Sequence, residues 1–593
     1  MTMSSTTSPT AAIGVNVSPT NNLVRALLTD LYQLTMTYSH WKIGKVDEPA
    51  VFELFFRKNP FKGQYTIFCG LDESLKLLQS FQFTQDDIEY LKSTPALEHC
   101  EKEFFDDYLL NGLNGALSSL KVYSVQEGTV VFPKCPLMII EGTLGIGHLL
   151  ETTLLNLINY PSLIATNASR MVLRANANNE KHTNYTSESK PKPCLEFGLR
   201  RAQGPDGACT ASKYSYVGGF VGTSNVQAGK IFGIPISGTH AHSYVQSFTS
   251  LDVVSQLTLY NKKSNKEEVF LTRVLMYRTA KANSSTSSSS STSSITNDGE
   301  LAAFCAYACT FPNNCLCLID TYDTIVSGLE NFIFVAKALD DFGYVPKGVR
   351  LDSGDLAALS AACQHTFQKV IDDEPTRRTA FTDLTVVASN DINEATLVEL
   401  SRKEHGITAF GIGTNLVTCQ AQPALGCVYK LVQFNGEPRI KLSQELVKVT
   451  IPGVKRVYRF FGGQDKKTPL LDYMCLADED PPTAAVSEEK ETSGGGIICR
   501  HPFRQQQRLV VFPSRVEPLH RLVFDRGNVV DDDNDDNCLS KTRTYVQKQL
   551  HEEFSDTITR YDNPKEYDVM VSPKLYKYLH ELWEKEAPIE ERR

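Results

Sequence analysis

Six times between Pro193 and about Val432 a short apolar run ends in glycine or polar residues and gives way to a helical-looking stretch. The runs are "CLEFGLRR", "IPISGTHAHS", "NCLCLIDTYDT", "GVRLDSGDLA", "TVVASNDINEA" and "AFGIGTNLVT". Short apolar runs with a polar stop read as strands buried on both faces, and alternation with helices sets them parallel. In a closed β/α barrel the loops after the strands share one mouth, so the polar endings are expected to converge. The chain is therefore α/β, with its chemistry where those endings meet.

Each ending brings a distinct capability. Arg200 and Arg201 offer planar donor forks for a carboxylate or phosphate. Asp320, Asp323, Asp352 and Asp355 supply hard oxygen ligands suited to magnesium bound with phosphates. The "GIGT" and "SND" endings place backbone amides and short polar residues where a phosphate is easily cradled. Alone, "EFGLRR" also reads as an exposed basic turn, "RLDSGD" as a helix start capped by Asp352 or Ser353, and "SND" as a turn. Their shared position after a strand favours a ligand site for a polyphosphate.

"PISGTHAHSY" carries His240 and His242 one residue apart. In an extended segment both side chains point to one side. That suits a zinc hydrolase with further ligands on other strands, a histidine that accepts or faces a phosphoryl group, or a structural pair. Other phosphate motifs fail: "GTLGIGHLLETTLL" lacks the third glycine of a dinucleotide fingerprint, and "GTSNVQAGKIF" lacks the Walker spacing.

At 593 residues with 41% hydrophobic content, the chain is long enough for two or three domains. A net charge of -9 with scattered basic residues argues against nucleic acid as partner. Cys305, Cys309, Cys315 and Cys317 match no common zinc spacing and are expected to be buried reduced thiols. The first 22 residues carry no charge, which fits neither a secretory nor a transit signal, so a disordered tail and a cytosolic location are expected. The most apolar stretch, "LLETTLLNLINYPSLIA", is interrupted by Glu151 and Pro161, which argues against a membrane span. Polar, low-complexity composition marks insertions near 174–193 and 281–300, a linker near 477–497 and the acidic run 531–537.

The block "LEFGLRRAQGPDG…ASKYSYVGGFVGTSNVQAGKIFGIPISGTHAHSYVQSF" is preceded by "LLTDLYQLTM" and followed by "GVRLDSGDL", "VVASNDINEA" and "FGIGTNLVTC". Together these resemble the nicotinate phosphoribosyltransferase family in order, from about Leu27 to Leu431. The likeness is weaker beyond Pro481, and the serine tract is an addition to the pattern. The resemblance implies a type II phosphoribosyltransferase fold, an irregular β/α barrel flanked by an α/β domain built from both chain ends. The expected limits are a tail at 1–22, flanking segments at 23–160 and 433–593, and a barrel at 161–432. It further implies transfer of phosphoribosyl from 5-phosphoribosyl 1-diphosphate to nicotinate, coupled to ATP hydrolysis as in the ligase class, with Mg2+ or Mn2+. This is the first step of NAD salvage from nicotinate, and the family is usually homodimeric with shared sites.

The family pattern places His242 where ATP phosphorylates a histidine, and His240 at a variable position whose replacement is expected to do little. Thr239 and Arg350 match nicotinate-holding positions, and Tyr32 a tyrosine that stacks on the pyridine from the neighbouring subunit. Thr414 matches a contact to the phosphoribosyl donor, with Gly411 and Gly413 as backbone donors. The sister nicotinamide enzyme implies Phe197 as the second stacking face, Arg200 as a ring or phosphate contact and Asp352 on ribose or magnesium. Asn225 stands where that sister has an aspartate facing the amide, and a neutral residue there favours the acid. A nicotinamide or quinolinate enzyme would share this fold.

Overall fold

Five of the six apolar runs form strands of one all-parallel sheet in the computed structural model. It describes residues 19–177, 191–285, 296–463, 467–484, 496–530, 538–554 and 556–587. The strands are β1 (Cys194–Glu196), β2 (Gly222–Thr223), β3 (Leu316–Leu318), β4 (Gly348–Leu351), β5 (Thr385–Ala388) and β6 (Ala409–Ile412). They lie in the order β3-β4-β5-β6-β1-β2. β3 and β6 are buried along their whole length, as strands covered on both faces must be.

The run "IPISG" departs from expectation. It makes a single parallel bridge, Thr223 to Ile236, and β2 takes the strand place beside β1. Pro235 has no N–H to give a ladder, which ends pairing after one step. The chain then turns into a short helix at His242–Gln246, so His240 and His242 do not share the face of a strand.

These strands belong to a compact unit of residues 164–423, beside expected limits of 161 and 432. Its helices include Gly204–Val217, Asp298–Thr310, Glu330–Asp341 and Leu356–Asp373. Asn297, inside the expected insertion 281–300, caps the helix that follows by accepting from Glu300 N at 2.9 Å.

The second unit joins the two ends of the chain, residues 1–163 and 424–593. Strand Pro49–Phe56 is central to an antiparallel seven-stranded sheet, between Cys427–Phe434 and Met138–Thr143. A six-stranded sheet includes the long antiparallel pair Lys455–Gly462 and Thr468–Leu476. Two buried ion pairs fix this unit. Lys455 Nζ lies 3.0 Å from Glu53 Oε1, and Arg459 forks onto Asp472 at 2.8 and 2.9 Å. Tyr567 and the carbonyl of Val130 complete the second pair. Removing one partner of such a pair costs about 3–5 kcal/mol, because the other charge stays buried.

Thr20 donates twice to Glu73, at 2.8 and 2.6 Å, so packing begins inside the expected tail. The expected tail at 1–18, and 178–190, 286–295, 485–495 and 531–537 of the expected insertions, linker and acidic run, lie outside the described residues. Cys305, Cys315 and Cys317 are buried free thiols, Cys309 is half-buried and Cys538 exposed. Among the described residues no helix is long and apolar enough to cross a membrane.

Candidate active site

The ends of the parallel strands surround a cavity of about 520 Å³ within the 164–423 unit. Phe197 and Arg200 reach it from the end of β1, Ser224 from β2, and Thr239 from the bridge at Ile236. Arg350 and Asp352 come from β4, Ser389 from β5, and Gly411, Gly413 and Thr414 from β6.

Glu196, fully buried at the last position of β1, anchors the first ending. Its carboxylate accepts from Gly198 N and from the hydroxyls of Ser212 and Thr223. The chain beyond it makes one tight turn, Leu199–Arg201, that leaves both arginines exposed at the rim. The Phe197 ring lies on Gly411, where a Cβ would come within 2.4 Å of it. Glycine at 411 is therefore what admits the ring.

Arg350 is a strand residue aimed into the cavity. Its Nη1 donates to Thr239 Oγ1 at 2.8 Å, while its Nε is buried with no hydrogen-bond partner among the described residues. Burial pushes its pKa down, opposed by Asp352 and Asp320. A guanidinium under that pressure stays charged and favours an anionic ligand.

The acidic residues divide into two groups. Asp323 and Asp355 are helix N-caps, bonded to Ile325 N and Val326 N and to Ala357 N and Ala358 N, so the structure commits them to capping. Asp352 lines the cavity, and Asp320, its side chain almost wholly buried, bonds to the backbone at Asp352. Asp320 Oδ2 accepts from Asp352 N at 3.0 Å and Ser353 Oγ at 2.6 Å, while its Oδ1 is buried with no hydrogen-bond partner among the described residues. Asp352 Oδ1 accepts from Ser389 Oγ at 2.5 Å.

His242 stands beside this pair rather than in the cavity lining. Its Nε2 is 3.8 Å from Asp352 Oδ2 and 3.9 Å from Asp320 Oδ1, and its Nδ1 is 3.2 Å from Thr321 Oγ1. His240 is 8% exposed, and burial holds its pKa near about 4. Its Nε2 accepts from Leu318 N at 3.3 Å, so the neutral ring already has a structural use. That bond gives His240 a structural contact that the expectation of a silent replacement did not include.

No group of three or more His, Cys, Asp or Glu fit to hold a metal occurs among the described residues, which leaves a zinc hydrolase without its ligand set. Asp352, with the orphan oxygen of Asp320, fits the lesser demand of a magnesium ion carried largely by phosphates, which needs only one or two carboxylates.

Two expected residues fall elsewhere. Asn225 is 1% exposed and caps helix Val226–Phe232, accepting from Ala228 N at 3.2 Å and donating to Ser212 Oγ at 3.2 Å. Its side chain is spent on the fold, and Ser224 lines the cavity instead. Tyr32 belongs to the other unit, on helix Leu31–Lys42, where it is 44% exposed.

Three family models match the chain in sequence order. They are the nicotinate phosphoribosyltransferase N-terminal domain over 27–159, the nicotinate phosphoribosyltransferase family over 193–460, and its C-terminal domain over 454–579. The last match extends well past Pro481. Nicotinate phosphoribosyltransferase 1 of Arabidopsis thaliana is 46% identical over 97% of this chain and 96% of its own length. The Homo sapiens enzyme of that name is 36% identical over 95% and 98%. The crystal structure of human nicotinic acid phosphoribosyltransferase superposes with a TM-score of 0.78 at 34% identity, covering 94% of this chain and all of that one. Nicotinate-nucleotide pyrophosphorylase from Pyrococcus furiosus, 18% identical with a TM-score of 0.54 over 88% and 95% of the chains, shares the fold.

Proposed function

This chain belongs to the nicotinate phosphoribosyltransferase family and has its type II phosphoribosyltransferase fold, and on that premise we propose how its cavity works. It joins nicotinate to 5-phosphoribosyl 1-diphosphate, forming nicotinate mononucleotide and diphosphate, and ATP hydrolysis drives the reaction. The observation that carries this reading is Arg350 held by Thr239 in one cavity with Phe197, Arg200, Asp352 and Thr414.

Arg350 and Thr239 hold the nicotinate carboxylate, with the pyridine ring on Phe197 and Tyr32 of the partner subunit covering its other face. The pyridine nitrogen forms its bond to the anomeric carbon as the bond to diphosphate breaks. Little proton transfer is required, so holding the two reactants in line supplies much of the acceleration. Arg200 and the backbone at Gly411, Gly413 and Thr414 take the phosphoryl oxygens, and Asp352 the ribose hydroxyls or the metal. Asp352 would help hold Mg2+ or Mn2+, whose charge when bound would offset that of the departing diphosphate.

His242 takes the phosphoryl group of ATP. Hydrogen bonding of Nδ1 to Thr321 leaves Nε2 as the nucleophile, and later hydrolysis of phospho-His242 biases the transfer toward product. In this reading the protein is a homodimeric cytosolic enzyme at the first step of NAD salvage from nicotinate. Measuring ADP against nicotinate mononucleotide tests the coupling. ADP should form along with the product, and ATP should raise the product's yield, whereas transfer to the same extent without ATP would remove the coupling.

A further inference from the structure

Among the described residues no strand pairing closes the seam between the two outer edges of the parallel sheet. At the outer edge of β2, Thr223 N donates to Pro235 O at 3.0 Å and Ser237 N to Thr223 O at 2.9 Å, and the ladder stops there. At the outer edge of β3, Leu318 N has no neighbouring strand carbonyl and donates instead to Nε2 of His240 at 3.3 Å. An imidazole occupies the place that a peptide carbonyl holds at the other seams. The ring is packed for that task, with centroids 4.9 Å from Tyr307, 5.2 Å from Tyr244 and 6.2 Å from Phe304.

What hangs from this seam is the loop that serves the cavity. Thr239, the residue before, holds Arg350 and donates its own hydroxyl to the His240 carbonyl at 3.3 Å. His242, two residues on, stands between Thr321, Asp320 and Asp352, all just beyond β3 and β4. With the Leu318 bond broken, the loop has no other hydrogen bond to a β3 residue among the described residues, and a buried amide is left without an acceptor.

We infer that His240 is a positioning residue for the transfer reaction, its unprotonated Nε2 pinning the Gly238–His242 loop to β3 so that Thr239 and His242 keep their places. The inference rests on the reading of the cavity as the nicotinate and phosphoribosyl-donor site. It needs an acceptor at that point rather than an aromatic ring.

The test compares His240→Leu, which keeps bulk and removes the acceptor, with His240→Gln, whose amide oxygen can replace Nε2. Kinetics are read without ATP. His240→Leu should raise the KM for nicotinate about tenfold with a smaller change in kcat, and His240→Gln should return it to within about threefold of the parent. A KM unchanged in His240→Leu overturns the inference, as does equal impairment of both variants, which would assign the effect to ring packing. Native-state hydrogen exchange on the unaltered protein covers a variant that does not fold. Strong protection of the Leu318 amide supports the pin, and exchange at the rate of an exposed amide overturns it. A parent protein that transfers nothing to nicotinate would sink the reading of the cavity, while the Leu318 exchange still decides whether His240 holds the seam.

Discussion

Arg350 Nη1 reaches Thr239 Oγ1 at 2.8 Å across the mouth of the barrel, joining two segments 111 residues apart. The hydroxyl sets the plane of the guanidinium fork, and the fork sets where a carboxylate can lie. Arg350→Ala should lower kcat/KM for nicotinate by about 100-fold, and Thr239→Val should raise KM by about tenfold with kcat nearly kept. Steady-state kinetics with nicotinate varied checks both.

His242→Ala should remove the response to ATP, leaving transfer at the level the native protein shows when ATP is withheld. Acid-labile label from [γ-32P]ATP should appear on the native protein and be missing from the variant. Full ATP coupling in His242→Ala would reassign the phosphoryl acceptor.

At Gly411 an added methyl meets Phe197 at 2.4 Å, closer than carbon atoms approach. Gly411→Ala should therefore displace the ring and raise the KM for nicotinate by about tenfold, with little loss of stability. Combined with Phe197→Leu the penalties should be less than additive, since both act on one contact.

Asp352 lines the cavity with part of its side chain open to solvent, while its Oδ1 is held by Ser389. Asp352→Asn preserves shape and removes charge. The magnesium concentration for half-maximal transfer should rise about tenfold, and an unchanged magnesium dependence would place the metal elsewhere.

His148 stacks on His40 with centroids 5.4 Å apart, and burial pushes its pKa down to about 4. Its unfolded form binds a proton near 6.5, so between about 6.5 and 4 the unfolded state carries more protons than the folded one. Stability is thus complete above that window and falls as the pH drops through it, on the order of 3 kcal/mol from this residue. His148→Phe should flatten the acid limb of a denaturant-midpoint profile.

The barrel and much of its mouth were legible because each relevant residue ends an apolar run. Asp352 and the glycines and threonine of "GIGT" follow from that position, whereas Phe197 and Arg350 are singled out by the family resemblance. What hid were roles that depend on distant hydrogen bonds. Glu196 ties its strand end to Ser212 and Thr223, Asn225 is drawn into capping, and His240 finds an amide 78 residues on. Pro235 also broke a run that its apolar neighbours make strand-like, and β2 came from the quieter "VGTSN" stretch. Aspartates 323 and 355 looked equal to 320 and 352 until the helix starts were placed.

The most direct test mixes the protein with 5-phosphoribosyl 1-diphosphate, magnesium and each of three pyridines, nicotinate, nicotinamide and quinolinate, and follows diphosphate release. Release should accompany nicotinate, in equal amount to nicotinate mononucleotide, and be at least about 100-fold slower with the other two. No release with nicotinate, or faster release with nicotinamide or quinolinate, would contradict the assignment of the Arg350 and Thr239 pair to the nicotinate carboxylate.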